Sequence, residues 1–188
     1  MDSYCDIKAL PDPEIIQSAV VSELMQILHQ LLPAFGGRVG LGFPAYGQQT
    51  TLGGIIRVLG GRDDLGKLHA HLNSNIDVHN YALLEKLTQI PDGVKKHAVY
   101  QRRQTKGNSH YQRMKKRHQS RGSWTDERDE DLRSRCMVPL RMPHIQLRSK
   151  STGQNFLLFV ERRCSTESQP GTFNGYGLGL NGATVPVF

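Results

Sequence analysis

The apolar residues in the first part of the chain follow two different periods. In residues 4–10 apolar and polar side chains alternate, which is typical of a half-buried strand. Apolar residues then recur at helical spacing from Ile16 to Leu31, so this face is expected in the core, with Asp12 as the cap of the helix and a proline at its first position. Pro33 and the glycine pair after it predict the end of this helix and place His29 in its last turn.

The segments that follow predict two strands, a short helix and a region of mixed character. The strands and the helix are residues 39–43, 51–59 and 63–72. Residues 76–90 are ambiguous, because Val78, Tyr81, Leu84 and Leu87 fit helical spacing, whereas a strand in the second half would complete a β-α-β-β-α-β unit, the ferredoxin-like motif. We predict a strand in the second half of residues 76–90.

The remaining residues, 94–188, predict a second half built from a strand, helices and a β-hairpin. Residues 97–103 have an extended pattern, and a helix then runs to about Arg121, with Asn108 or Ser109 as its cap. Two apolar runs separated by a polar turn predict a hairpin over residues 145–160.

Two segments of this half have an unusual composition. Residues 126–131 are acidic and open a short helix with Ser123 or Thr125 as its cap, which agrees with the preference of helix N-termini for acids. Residues 171–182 carry glycine at close intervals, so their backbone can approach a ligand closely. A turn-rich end of a sheet has the same composition.

Residues 94–121 hold the whole positive excess of the protein. Ten of the 24 lysines and arginines lie there with no acidic residue, and the remaining 14 are outnumbered by the 17 acidic side chains. On the predicted helix Arg113, Lys116 and Arg117 stand at i, i+3 and i+4 and form a basic stripe. This distribution indicates a polyanion-binding element rather than an ordinary solvated helix, and we expect its order to depend on an anionic partner.

The rest of the composition excludes several classes of protein. No run approaches the ~20 apolar residues of a membrane helix, and the first residues lack the pattern of a signal peptide. The three cysteines are far apart, which favours reduced thiols in a cytoplasmic protein over disulfides or a metal site. Motifs for nucleotide binding, for a serine hydrolase and for a zinc protease are absent from the sequence, and we predict no cofactor and no metal.

An ordered set of short motifs is similar to the type I-F CRISPR repeat-processing endoribonuclease, a CRISPR-associated RNA endonuclease of the Csy type. The match runs from end to end, although residues 48–89 match poorly. The motifs are the opening SYCDI with Pro-Asp-Pro-Glu at 11–14, Leu28-His29, Phe43-Pro44, Arg102-x-Gln104-x-Lys106-x-Asn108, Leu147-Arg-Ser-x-Ser-Thr-Gly-Gln154, Phe156 and Tyr176-Gly-Leu178.

This resemblance implies a fold, a reaction and a set of partners. The fold is α+β, with a ferredoxin-like domain over residues 1–93 that carries the catalytic histidine and an RNA-binding domain over residues 94–188 that carries the basic helix and the glycine-rich loop. The reaction is metal-independent cleavage of CRISPR repeat RNA (pre-crRNA) at the 3′ base of a stem-loop, in which the RNA's own 2′-OH attacks the adjacent phosphate and leaves a 2′,3′-cyclic phosphate. The resemblance also implies that the enzyme stays bound to the crRNA hairpin and joins the other subunits of a type I-F surveillance complex. No membrane partner is expected.

The resemblance also implies roles for particular residues. His29 matches the catalytic histidine, and an imidazole, whose ordinary pKa is ~6.5, suits a general base near neutral pH. Ser149 matches the serine that holds the nucleophilic 2′-OH, and Ser151 matches a second serine that contacts the scissile region. Tyr176 matches the tyrosine that orients the histidine.

The RNA-binding residues implied by the resemblance divide into base readers and a basic helix. Arg102 and Gln104 match residues that read base edges at the foot of the stem, and Phe156 matches an aromatic that stacks there. The helix matches an arginine-rich helix that lies along the RNA, although Gln112 and Lys116 stand where arginines are expected. The remaining candidates for RNA binding are Lys106, Arg113, Arg117, His118 and Ser151.

Two other functions stay open at this point. The first alternative is a non-catalytic RNA-hairpin-binding subunit of a CRISPR surveillance complex, which would use the same basic helix. The second is a small DNA-binding or ribosome-associated protein, although the sequence has neither helix-turn-helix nor zinc-finger spacing. A binding protein has no need of His29, Ser149 and Tyr176 together.

Overall fold

In the computed structural model, which describes residues 1–104, 107–136, 141–149 and 152–188, strands β1 to β5 form the first sheet. The strands pair in the order β2-β3-β1-β4, β5 also pairs with β1, and the pairings are antiparallel. This order supports the ferredoxin-like arrangement, which stays a prediction. The strands are β1 (Ser3–Ala9), β2 (Gly40–Gly42), β3 (Ile55–Gly60), β4 (Ala82–Leu84) and β5 (Thr88–Gln89).

The centre of this sheet contains both apolar core residues and a buried ion pair. Ile7 of β1 lies opposite Ile56 of β3, and both are fully buried, as the alternating pattern predicts. One step along the strands, Asp6 lies opposite Arg57. The Nε and Nη2 atoms of Arg57 donate to the two carboxylate oxygens of Asp6 at 2.8 Å. Such bidentate geometry satisfies a carboxylate that is taken out of water.

Helix α1 (Gln17–Leu31) buries the predicted face but begins later than the sequence indicates. Asp12 is not its cap, because its carboxylate accepts the N–H groups of Glu14 and Ile15 at 2.8 Å and closes a separate turn. Aspartate favours such local turns over a helix start. Ile16 is therefore left at the N-cap with 72% of its surface exposed, and the prediction that it belongs to the core was wrong.

The structure confirms the prediction that the first helix ends near Pro33 and the following glycine pair. A 3₁₀ helix over Leu32–Phe35 follows it, and Gly36 adopts a left-handed conformation with φ 58°. Glycine takes this conformation at little cost, so the chain turns away from the helix axis here. His29 lies in the last turn of α1.

The segment of mixed character divides as the sequence suggests. Helix α2 (Arg62–Asn73) buries its leucines, α3 (Ile76–Tyr81) is capped by the Asn75 side chain, and β4 and β5 follow. The predicted strand in the second half of residues 76–90 is thus confirmed. The strand predicted over residues 51–59 begins only at Ile55.

A second antiparallel sheet carries the predicted hairpin. Its strands are β6 (His97–Arg103), β7 (His144–Arg148), β8 (Asn155–Ser165) and β9 (Val185–Pro186), in the order β7-β8-β6-β9. Leu147 of β7 lies opposite Phe156 of β8, and β7 is the outer strand. The fold is therefore α+β, as predicted. No helix in the described ranges combines the length and apolar character needed to cross a bilayer.

The chain divides into two units. The first contains residues 1–102 and 142–188, and the second contains residues 103–141 with helices α4 (Asn108–Ser120) and α5 (Asp126–Cys136). The boundary predicted after residue 93 lies inside the first unit, and the assignment of a catalytic and an RNA-binding half stays a prediction. The cap of α4 is Gly107, not Asn108 or Ser109, because the helix already begins at Asn108.

Candidate active site and nucleic-acid interface

The end of α1 and the glycine-rich segment bring His29 and Tyr176 into direct contact. Their ring centroids are 3.9 Å apart and the ring planes are 8° from parallel. His29 Nδ1 lies 2.8 Å from the carbonyl oxygen of Gly175. The imidazole, which is half-buried, is therefore held both across its face and in its plane.

The carbonyl of Gly175 determines the tautomer of His29. A carbonyl oxygen can only accept a hydrogen bond, so Nδ1 must carry the proton that points at it. In the neutral ring the lone pair then lies on Nε2, the nitrogen on the far side from Gly175. A neutral imidazole held in this tautomer can accept a proton at Nε2, which is the first requirement of a general base.

The loop that supplies Gly175 and Tyr176 is organised by one asparagine. The Oδ1 atom of Asn174 accepts the N–H of Tyr176 at 2.8 Å and that of Leu178 at 3.2 Å. The carbonyl of Gly177 accepts the N–H of Leu41 in β2 at 2.8 Å, which joins the loop to the first sheet. The sequence did not single out Asn174 or Gly175, and the only signal for them was the dense glycine spacing of residues 171–182.

Gly175 approaches the histidine more closely than any other residue type could without adjustment. A Cβ atom built on it would lie 3.3 Å from Cε1 and 3.4 Å from Nδ1 of His29. The close approach that the sequence predicted toward a ligand stays a prediction, and the close approach seen here is to another part of the protein. The group approached is the side chain of His29.

Ser149 begins the turn that joins β7 to β8. Its N–H donates to the carbonyl of Gln154 at 2.8 Å, and its own carbonyl accepts the N–H of Gly153 at 2.8 Å. Its Oγ atom accepts the N–H of Thr152 at 3.3 Å. Helix α1 packs against β7, so the strand that leads into Ser149 lies beside the helix that carries His29. Ser151 lies outside the described residues.

Arg102 and Phe156 also come together, at one end of the second sheet. The Arg102 guanidinium carbon lies 5.7 Å from the centroid of the Phe156 ring, within the range of a cation–π contact. Arg102 is exposed at the end of β6, and Phe156 is half-buried on β8. A planar cation and an aromatic face are the two groups that stack best on nucleobases. Gln104 is exposed, and Lys106 lies outside the described residues.

The stripe on α4 is exposed as its spacing predicts. Arg113, Lys116 and Arg117 all point into solvent, and no acidic residue of the described ranges forms an ion pair with them. Uncompensated cations at i, i+3 and i+4 concentrate positive charge along one helix face, which favours binding of a polyanion.

Helix α4 has a protein support that the sequence did not predict. The buried Tyr111 hydroxyl donates to Asp129 of α5, and Arg133 donates to the same carboxylate at 3.0 Å. The hydrogen bond from Tyr111 is the largest cause of the lowered pKa of Asp129, and the hydrogen bond from Arg133 also lowers it. Lys115 lies over the rings of Tyr111 and Trp124, at 5.9 and 5.4 Å. The acidic residues 126–131 therefore open α5 and, through Asp129, also support α4.

His118 has partners within its own unit. Its Nδ1 atom accepts from Nη1 of Arg128 at 3.3 Å and lies 3.0 Å from Oγ of Ser123. Arg128 also donates to the Ser123 carbonyl at 2.9 Å, so the three residues close the connection between α4 and α5. In the neutral ring that these contacts describe, the proton is on Nε2, which can donate to an anion.

No group of three or more metal-ligating side chains occurs among the residues whose structure is described. His29 and Ser149 form hydrogen bonds with backbone groups of the protein.

Comparison with known proteins identifies the family. Residues 4–188 match the family model described as CRISPR-associated protein (Cas_Csy4). The chain is 32% identical to the CRISPR-associated endonuclease Cas6/Csy4 of Pseudomonas aeruginosa (strain UCBPP-PA14) and 31% identical to that of Escherichia coli (strain UTI89 / UPEC), and each comparison covers 100% of both chains. The chain therefore belongs to the Cas_Csy4 family of CRISPR-associated proteins.

Proposed function

We propose that this protein is a CRISPR-associated endoribonuclease that processes CRISPR repeat RNA. The names of its full-length relatives support an endonuclease. The observation that carries the proposal is the arrangement of His29, whose ring is stacked on Tyr176 and bonded through Nδ1 to Gly175. A subunit that only binds RNA gains nothing from a histidine whose Nε2 is prepared to accept a proton.

The proposed reaction is cleavage at the 3′ base of a stem-loop without a metal ion. Ser149 holds the 2′-OH of the nucleotide before the scissile bond, and Nε2 of His29 accepts its proton. The 2′-oxygen attacks the adjacent phosphorus, the bond to the 5′-oxygen breaks, and that oxygen takes up a proton. The products are a 2′,3′-cyclic phosphate and a 5′-OH.

Tyr176 has an orienting role in this proposal. Its ring lies parallel to the imidazole, so it restricts rotation of the His29 side chain about its terminal torsion. A base that is already oriented loses less entropy when the reactive geometry forms. Ser151 is proposed to contact the RNA near the scissile bond.

The RNA would be recognised by the residues of the nucleic-acid interface. Arg102 and Gln104 are proposed to read base edges at the foot of the stem, with Phe156 stacking there. Arg113, Lys116 and Arg117 of α4 are proposed to contact phosphates of the stem, together with Lys106 and His118. We propose that the protein stays on the hairpin of its product and joins the other subunits of a type I-F surveillance complex.

The test uses a radiolabelled CRISPR-repeat hairpin with the protein in EDTA. We expect cleavage of the hairpin, and loss of at least 100-fold in single-turnover rate for His29→Ala with unchanged RNA affinity. His71→Ala is the matched control, because His71 is exposed on α2 and bonds within that helix.

A substrate with a 2′-deoxy nucleotide before the scissile bond should bind but resist cleavage, since it lacks the nucleophile. If the protein binds the unmodified hairpin without cleaving it, the proposed enzyme function is wrong, and the alternative of a non-catalytic hairpin-binding subunit is favoured. Cleavage by His29→Ala at the wild-type rate would remove the role assigned to His29.

A further inference from the structure

Helix α1 carries a second stripe that the hydrophobic core does not use. Ser18, Ser22, Gln26 and His29 are all half-buried and are spaced by four, four and three residues, so they share one face of the helix. A cavity of about 790 Å³ lies between the first three of these residues and strand β7. The stripe therefore lines the space between the helix and the outer strand of the second sheet, and it ends at His29.

Gln26 bridges this space. Its side-chain nitrogen donates to the carbonyl oxygen of Arg148 at 3.0 Å, and its side-chain oxygen accepts the N–H of Arg148 at 3.1 Å. The orientation of the amide follows from these partners, since a carbonyl can only accept and an N–H can only donate. The outer edge of a sheet leaves such backbone groups without a strand neighbour, and here Gln26 takes the neighbour's place.

The bridge lies between the two candidate catalytic residues. Ser149 directly follows Arg148, and its turn is closed onto the hairpin by the backbone bonds to Gln154 and Gly153. His29 is three residues after Gln26, which places it roughly 60° around the helix and about 4.5 Å along its axis. One side chain thus fixes the backbone before Ser149 to the turn of α1 that carries His29.

We propose that Gln26 is a positioning residue that sets Ser149 relative to His29, an inference that rests on the proposed function. The attacking 2′-OH must meet Ser149 and His29 at the same time. A displacement of about 1 Å in such an arrangement costs on the order of 100-fold in rate. Gln26 would act through Ser149 and would make no contact with the RNA.

The experiment compares single-turnover cleavage at saturating protein with RNA affinity for variants of Gln26. Gln26→Leu removes both bonds to Arg148, and we expect the rate to fall at least tenfold while Kd stays within twofold. Gln26→Glu still accepts the Arg148 N–H but loses the donor to its carbonyl, so we expect a smaller loss of rate. Gln30→Leu is the matched control, because Gln30 is exposed on the same helix.

A double-mutant cycle with Ser149 distinguishes positioning from a general loss of structure. If Gln26 acts through Ser149, Gln26→Leu combined with Ser149→Ala should cleave as slowly as Ser149→Ala alone. Rate losses that multiply would overturn the inference, as would wild-type cleavage by Gln26→Leu. If Gln26→Leu does not fold, the same cycle with Gln26→Glu decides between these outcomes.

The two proposals fail in different ways. A wild-type protein that binds the hairpin and leaves it intact contradicts the proposed function. A wild-type protein that cleaves it, with Gln26→Leu equally fast, contradicts only the role of Gln26.

Discussion

At the scale of single residues, Gly175 and Tyr176 of one loop determine the tautomer and the orientation of the His29 imidazole. The carbonyl of Gly175 fixes the proton on Nδ1, and the ring of Tyr176 fixes the plane of the imidazole. Both depend on Asn174, whose side chain holds the loop in its turn. The orientation of His29 thus depends on backbone geometry as much as on a side chain, and a residue larger than glycine at position 175 would press against the imidazole.

We predict that Gly175→Ala lowers the cleavage rate about tenfold without changing RNA affinity. The added Cβ would stand 3.3 Å from His29 Cε1, so the imidazole would have to move by a few tenths of an ångström. The measurement is the single-turnover rate beside Kd for the same hairpin.

The matched control for this substitution is Gly66→Ala. Gly66 lies in α2, and a Cβ built there meets nothing within 4 Å, so the variant should cleave at the wild-type rate. Equal rates for Gly175→Ala and wild type would mean that the close approach has no catalytic consequence.

At the scale of elements, α4 and α5 form a pair in which one helix supports the other. The Tyr111 hydroxyl of α4 donates to Asp129 of α5. Because the anchor residues face α5, the cations Arg113, Lys116 and Arg117 remain free for an external anion. The dependence of this helix on an anionic partner stays a prediction, and the contacts with α5 give it one source of support within the protein.

We predict that Arg117→Ala weakens hairpin binding and reduces the slope of log K against log salt concentration by roughly one unit. Each phosphate contact that is lost leaves one fewer counterion to be released. The measurement is a series of binding titrations at increasing salt.

Arg135→Ala is the matched control, since it removes the same charge from α5, where Arg135 pairs with Asp131 at 2.8 Å. An unchanged slope for Arg117→Ala would exclude Arg117 from the phosphate contacts. A slope that falls equally for both variants would point to net charge rather than to a specific contact.

At the scale of the whole molecule, distant parts of the chain meet at the first sheet. The Arg57 side chain joins Asp6 to the carbonyl of Phe188, and its guanidinium carbon lies 4.7 Å from the ring centroid of Tyr4 and 4.2 Å from that of Phe188. The sheet also buries the thiol of Cys5, and this burial raises its pKa to about 12. Cys5 therefore reports on the integrity of the sheet.

We predict that Cys164 reacts first with a thiol reagent at pH 8, because it is exposed whereas Cys5 and Cys136 are buried. At that pH only ~1 in 10,000 Cys5 thiols would be ionised, and the thiolate is the reactive form. Cys5 should react only as the protein unfolds in denaturant. The measurement is the time course of reaction for wild type and Cys164→Ser, and a fast phase that persists in the variant would contradict the assignment.

The sequence alone determined the local structure and the distribution of charge. Hydrophobic periodicity gave the core face of α1, the leucines of α2, the hairpin and the exposed stripe of α4, because each of these depends on residues close together in the chain. The resemblance of short motifs proposed His29, Ser149 and Tyr176. The predictions from helical spacing and capping residues were wrong where a local turn competed with a helix, as at Asp12 and Ile16.

Only the tertiary structure identified the other long-range partners of these residues. His29 and Gly175 are 146 positions apart, and nothing in the pattern around either residue specifies a contact with the other. The same holds for Asp6 with Arg57 and for Gln26 with Arg148. Periodicity indicates which face of an element is buried, but the partner on that face depends on how the sheets and helices pack, which is set by the whole chain at once.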